Sequence, residues 1–146
     1  MSKVLASVKA HNSAGVLKTD LQVETFSFVA DEPLLYGGQE LGPTPVDYLC
    51  MALASCQAIT LRMYAKRKNW ELPSIDVKVD YVKAADMPSG KNTFNVEITV
   101  EGELEPAQLK RIEEIARACP IHRLLSNPVD LITNLSSDRT SNNKTQ

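Results

Sequence analysis

A chain of 146 residues, 43% hydrophobic and 23% charged, has the make-up of a single ordinary globular domain. A formal net charge of −2 and a pI near 5.7 give no basis for a nucleic-acid-binding or anionic-membrane-binding surface. Three cysteines are too few and too odd for a disulfide framework, and Val4, Ala6 and Val8 alternate with polar residues where a secretory signal would need an apolar block. A reducing cytoplasmic compartment is therefore expected, with the cysteines free, metal-bound or reactive.

Residues 3–10 alternate and predict a first strand. Asn12-Ser13-Ala14-Gly15 has turn composition, and Val16 to Leu21 and Thr25 to Ala30 predict two further strands of an antiparallel meander. Asp31-Glu32-Pro33 ends the meander, and a glycine-rich loop, Tyr36-Gly37-Gly38-Gln39-Glu40-Leu41-Gly42-Pro43-Thr44-Pro45, follows.

That loop launches a helix expected over Pro45–Lys68. Pro43 and Pro45 fix φ, Thr44 is the candidate N-cap, and Asp47 sits where a carboxylate closes a capping box. Val46, Leu49, Cys50, Leu53, Ala54, Gln57, Leu61 and Tyr64 follow the helical stripe, and no charge occurs from Tyr48 to Leu61. Those fourteen residues fall short of a membrane span, which needs about 20. A helix apolar nearly all round is expected to be buried, and so few strands cannot wrap it within one chain, which points to a homodimer.

Beyond a break at 69–74, Ile75, Val77, Val79 and Tyr81 alternate with polar residues, as do Phe94, Val96, Ile98 and Val100, so the two segments predict a strand pair around a polar loop at 84–92. Pro106 opens a second helix with the stripe Leu109, Ile112, Ile115, Ala116 and Cys119, which Pro120 should end. Residues 121–126 allow one more helical turn, Val129 to Leu135 reads as a last strand, and 136–146 is a polar tail with nothing to bury. The expected domain is 1–135, α+β, with antiparallel sheets around a long central helix.

The chemistry-bearing residues are the cysteines. Cys56 and Cys119 lie on different predicted helices and are separated by 63 positions. Each could be a small core residue, as free cysteine often is, or the two could form a redox pair in which one thiolate attacks and the other resolves. A metal site has little to build on, because there is no CxxC and the two histidines are His11 and His122. A Cys56–His122 hydrolase would need an orienting third residue that no motif supplies. Cys50 falls on the apolar stripe and reads as structural.

Two stretches resemble a known family. Gly37 to Leu49 followed by Ala52-Leu53-Ala54-Ser55-Cys56, and Cys119-Pro120-Ile121-His122-Arg123-Leu124-Leu125, are similar in residues and order to the motifs of the OsmC/Ohr family of osmotically inducible and organic-hydroperoxide-resistance proteins. The resemblance implies an intertwined homodimer and thiol-dependent reduction of organic hydroperoxides without metal, flavin or haem. Cys56 would be the peroxidatic nucleophile, Cys119 the resolving thiol, and an external thiol or a dithiol such as lipoamide the reductant. Glu40 matches the glutamate that holds the family's catalytic arginine.

The arginine itself is absent: none precedes Arg62, and Lys18, the nearest cationic candidate, cannot imitate a bidentate guanidinium. Arg123 and His122 are the other candidates for the charge. The alternative reading is a non-peroxidase member of the fold that binds an apolar or thiol-containing small molecule at the dimer interface.

Overall fold

Short alternating segments set between turn residues pair here as local antiparallel ladders. The computed structural model describes residues 3–137. Strands β1 (Lys9–Asn12), β2 (Thr19–Val23) and β3 (Phe26–Ala30) form one antiparallel sheet in that order, and β4 (Ile75–Val82) and β5 (Thr93–Val100) form a second. The register Ala10 with Leu21, Leu21 with Phe28, and Val79 with Val96 places the apolar residues of neighbouring strands on common faces. The first strand is shifted from its expected position. Residues 3–8 have no regular structure, and Asn12 closes β1, sending its side-chain amide to the Val16 and Lys18 carbonyls at 3.0 Å.

The long helix α1 spans Pro45–Lys68 as expected. Thr44 Oγ1 accepts the Asp47 N–H at 3.2 Å, and Asp47 Oδ2 accepts the Thr44 N–H at 2.8 Å, completing the capping box. Asn69, in the left-handed region at φ 54°, stops the helix after Lys66, Arg67 and Lys68 have met its negative end.

One face of α1 packs on β4 and on the helices α2 (Pro106–Arg117) and α3 (Pro120–Leu125). Leu61 and Ala65 form the core with Leu72, Ile112 and Ala116, flanked by Trp70, Ile75, Ile98 and Val100. Arg62 is committed here, donating to the Leu72 carbonyl at 2.6 Å, and Arg111 donates to Tyr64 Oη at 3.0 Å.

As expected, one chain does not wrap the long helix: Leu53, Gln57, Leu61, Tyr64 and Ala65 are covered, whereas Val46, Leu49, Met51, Ile59 and Met63 are exposed. A two-stranded sheet and two short helices can cover only one side of the cylinder.

The expected last strand needs correction, because it does not form. Residues 126–137 form no helix or strand, and Leu131, Ile132 and Leu135 are almost wholly exposed. Alternation alone does not make a strand; a sheet edge must accept its backbone groups, and none meets this segment among the described residues. The polar tail lies outside the described residues from 138 onward.

Leu61 is 1% exposed at the centre of the core. Leu61→Ala is expected to cost about 2–5 kcal/mol of unfolding free energy, measured by urea titration.

Candidate functional site

The loop between β3 and α1 is held from the inside by a residue that sequence reasoning passed over. Asp31 is 2% exposed. Its Oδ1 accepts the Glu32 N–H at 2.8 Å, and its Oδ2 accepts the Gln39 and Leu41 N–H groups at 3.1 Å each. Burial alone would push this carboxyl up, but the three N–H donors and the charge of Lys18 outweigh it and hold the group below its ordinary value. The glycines of the loop have steric reasons. A Cβ on Gly38 would lie 1.7 Å from the Glu32 carbonyl oxygen, and one on Gly42 would lie 2.3 Å from that of Val29.

Glu40 sits on the outer side of this loop, exposed and at φ 56°, a left-handed conformation that a non-glycine residue adopts at some cost. Its Oε1 lies 3.5 Å from the Leu34 amide nitrogen, and among the described residues no basic side chain pairs with it. Lys18 does not take the missing arginine's place, because its ammonium pairs with Asp20 at 2.6 Å. Arg123 is exposed on α3 and forms no side-chain hydrogen bond or ion pair among the described residues.

The structure does bring the two expected cysteines together. Cys56 lies in the middle of α1, half-buried. Cys119 is fully buried at the N-cap of α3, where its Sγ accepts the His122 N–H at 3.2 Å. Burial pushes the Cys119 thiol above its ordinary value, the adjoining Cys56 adds to this by hydrogen bonding and charge, and the His122 N–H opposes it. His122 thus acts through its backbone; its ring lies 3.4 Å from the Ser126 hydroxyl. Cys50, the third cysteine, is raised by burial and by the charges of Asp47 and Asp80, and stays apart from the pair.

Gln57 follows Cys56 and was expected only as part of the apolar stripe. It is buried, donates to the Ala116 carbonyl at 3.4 Å, and leaves its own carbonyl oxygen without a partner among the described residues.

Two openings flank this part of α1. An apolar groove of about 920 Å³ lies between the first sheet and the helix, lined by Leu21, Phe28, Tyr48, Met51, Ala52 and Ser55 among others. A smaller pocket of about 310 Å³ is lined by Leu53, Lys91, Asn92, Phe94, His122 and Ser126 among others. No cluster of His, Cys, Asp and Glu able to hold a metal ion occurs among the described residues, and no helix there is long and apolar enough to cross a membrane.

A family model described as OsmC-like protein matches residues 37–134, which includes the capped loop, Cys56 and Cys119. The chain belongs to the OsmC-like family. Its fold is that of solved OsmC and Ohr structures. An osmotic stress induced and detoxification response protein from Psychrobacter arcticus aligns at 22% identity and a TM-score of 0.67, covering 85% of this chain and 89% of that one. The organic hydroperoxide resistance protein OhrB of Bacillus subtilis aligns at 21% identity and a TM-score of 0.57, covering 87% and 94%. An organic hydroperoxide resistance protein from Vibrio cholerae, with captopril bound in one of its active sites, aligns at 18% identity and a TM-score of 0.60, covering 88% and 90%. A search of curated protein sequences finds no match.

In this OsmC-like chain the loop geometry depends on the ionised Asp31. Its folded-state value is depressed, so its contribution to stability is in place above the ordinary 3.8 and is lost as pH falls below it. Asp31→Asn is expected to lower the melting temperature at pH 7 and to narrow the gap to wild type progressively below pH 4, read by circular dichroism melts across that range.

Proposed function

We propose that this protein is a thiol-dependent peroxidase acting on organic hydroperoxides through Cys56 and Cys119. The observation that carries the reading is the meeting of a half-buried thiol on α1 with a fully buried one at the start of α3. The Cys56 thiolate attacks the distal peroxide oxygen, the O–O bond breaks, and the alcohol leaves as Cys56 becomes a sulfenic acid. The Cys119 thiol then displaces water from that sulfur, forming the disulfide. Two electrons from an external thiol or dithiol restore both cysteines. The apolar groove beside Ala52 and Ser55 suits the organic part of the peroxide.

Glu40 enters this reading as an orienting carboxylate, and the cation it would orient is not an arginine of the N-terminal strands, since the chain has none there. That same gap, together with the size of the apolar groove, supports the second reading, a binding protein that holds an apolar or thiol-containing molecule without turning it over.

The homodimer belongs to the proposal too. Ile59 and Met63 on α1 are 59% and 67% exposed, and Leu131, Ile132 and Leu135 are more so, a surface that a second copy would cover. Ile59→Glu is expected to convert dimer to monomer in light-scattering chromatography; an unchanged mass would place the interface elsewhere.

One equivalent of an organic hydroperoxide is expected to consume two of the three thiols in wild type and to leave a trappable sulfenic acid on Cys56 in Cys119→Ser. Three surviving thiols would favour the binding protein. Because burial keeps Cys119 protonated at neutral pH, disulfide formation from the sulfenic acid should accelerate roughly tenfold per pH unit between pH 7 and its ionisation, followed by rapid-quench alkylation.

A further inference from the structure

Gln57 is an unfavourable residue for its position. It follows Cys56 on α1 and is 2% exposed, and it carries an amide into the core between Leu53 and Leu61, one turn to either side. Its Nε2 donates to the Ala116 carbonyl at 3.4 Å. Its Oε1 has no hydrogen-bond partner among the described residues. A buried amide oxygen without a donor loses its hydration and regains nothing, so a methionine or leucine of similar size would serve the packing better. Stability alone does not account for Gln57.

Its hydrogen bond leads to the other cysteine. The Ala116 carbonyl that takes the Gln57 amide also accepts the Cys119 N–H, at 3.2 Å. Cys119 directly follows Ala118, the C-cap of α2, and its thiol adjoins that of Cys56. The contacts therefore close a ring: Cys56 is joined to Gln57 along the chain, Gln57 to the Ala116 carbonyl, that carbonyl to the Cys119 N–H, and the two thiols to each other. Elsewhere α1 meets α2 through the apolar contacts of Leu61, Ala65, Ile112 and Ala116, and through Arg111 on Tyr64, about two helical turns beyond Cys56. A disulfide tolerates Cα separations of only about 4.4–6.8 Å, so a small slide of one helix along the other would put the sulfurs out of reach.

We propose that Gln57 is a positioning residue for the Cys56–Cys119 disulfide: by tying the last turn of α2 to the helix position beside Cys56, it holds the Cys119 sulfur within bonding reach. The inference rests on the redox pairing of those two cysteines. Gln57 exchanges no electron or proton and acts through Ala116 and the Cys119 backbone. Its bond restricts the dithiol to arrangements from which the disulfide can close, which raises the effective concentration of one thiol at the other. With glutathione disulfide as oxidant, one cysteine thiolate attacks it and releases one glutathione. The second cysteine then attacks the mixed disulfide and releases the other, so two electrons and two protons pass from the protein to two molecules of glutathione.

The test equilibrates the protein with glutathione and its disulfide, then uses acid quench, alkylation and mass spectrometry to obtain the effective concentration of the pair. Thermal melts of the reduced form give stability separately. Gln57→Met and Gln57→Leu are expected to melt no lower than wild type, yet to lower the effective concentration by on the order of fivefold. Ile112→Val loosens the same contact between α1 and α2 without touching the hydrogen bond. It is expected to melt lower and to keep the effective concentration within about twofold of wild type. Gln57 variants that both stay within about twofold of wild type, or a fall in Ile112→Val as large as theirs, would overturn the proposal. The fivefold fall, in a protein whose disulfide forms with glutathione disulfide but not with an organic hydroperoxide, would support the role of Gln57 and sink the peroxidase reading. A disulfide that forms with neither oxidant would end both.

Discussion

A carboxylate buried against three backbone N–H groups holds the loop that joins the first sheet to the long helix. Asp31 ends β3, and its two oxygens draw in the amides of Glu32, Gln39 and Leu41, so the glycine-rich loop folds back over the strand that precedes it. The Asp31 N–H returns to the Pro43 carbonyl at 3.2 Å, just before Thr44 and Pro45 start α1. The position of the helix relative to the first sheet follows from this contact and from the Tyr48 hydroxyl on the Val29 carbonyl at 2.7 Å. Few other contacts link sheet and helix, which is why the space between them is an open apolar groove.

Electrostatics at the sulfur pair are set by burial and short-range donors more than by full charges. No lysine or arginine side chain is hydrogen-bonded to either cysteine among the described residues. Cys119, at the capping position of a short helix, has a backbone donor but too little solvent for that donor to bring its thiol down. In the peroxidase reading proposed above, such an arrangement suits a resolving thiol better than a nucleophile. Cys56 is half-buried where Cys119 is fully buried, so it is the more accessible of the two sulfurs.

Much of the fold was legible because its signals are local. The capping box at Thr44 and Asp47, the end of the helix at Lys68 and the alternation of β4 and β5 depend on residues a few positions apart, and they occur where the sequence places them. The final strand failed for the complementary reason. Val129 to Leu135 has the period of a strand, but a strand also needs a neighbour, and periodicity carries no information about one. Glu40 was found as a motif residue, whereas Asp31, with its three donors, looked only like a polar residue ahead of a proline.

From the chain alone came the element order, the antiparallel α+β class, the long capped helix, and the two cysteines with their family. These rest on short-range sterics, capping and hydrophobic period, which neighbouring residues determine among themselves. Tertiary structure decided that Cys119 meets Cys56 across two helices, that Lys18 serves Asp20 and Asp31 rather than Glu40, and that Lys91 and His122 line one pocket with Leu53. Each of these is a contact between distant segments, and its partners are chosen by how whole elements pack, which no spacing along the sequence encodes.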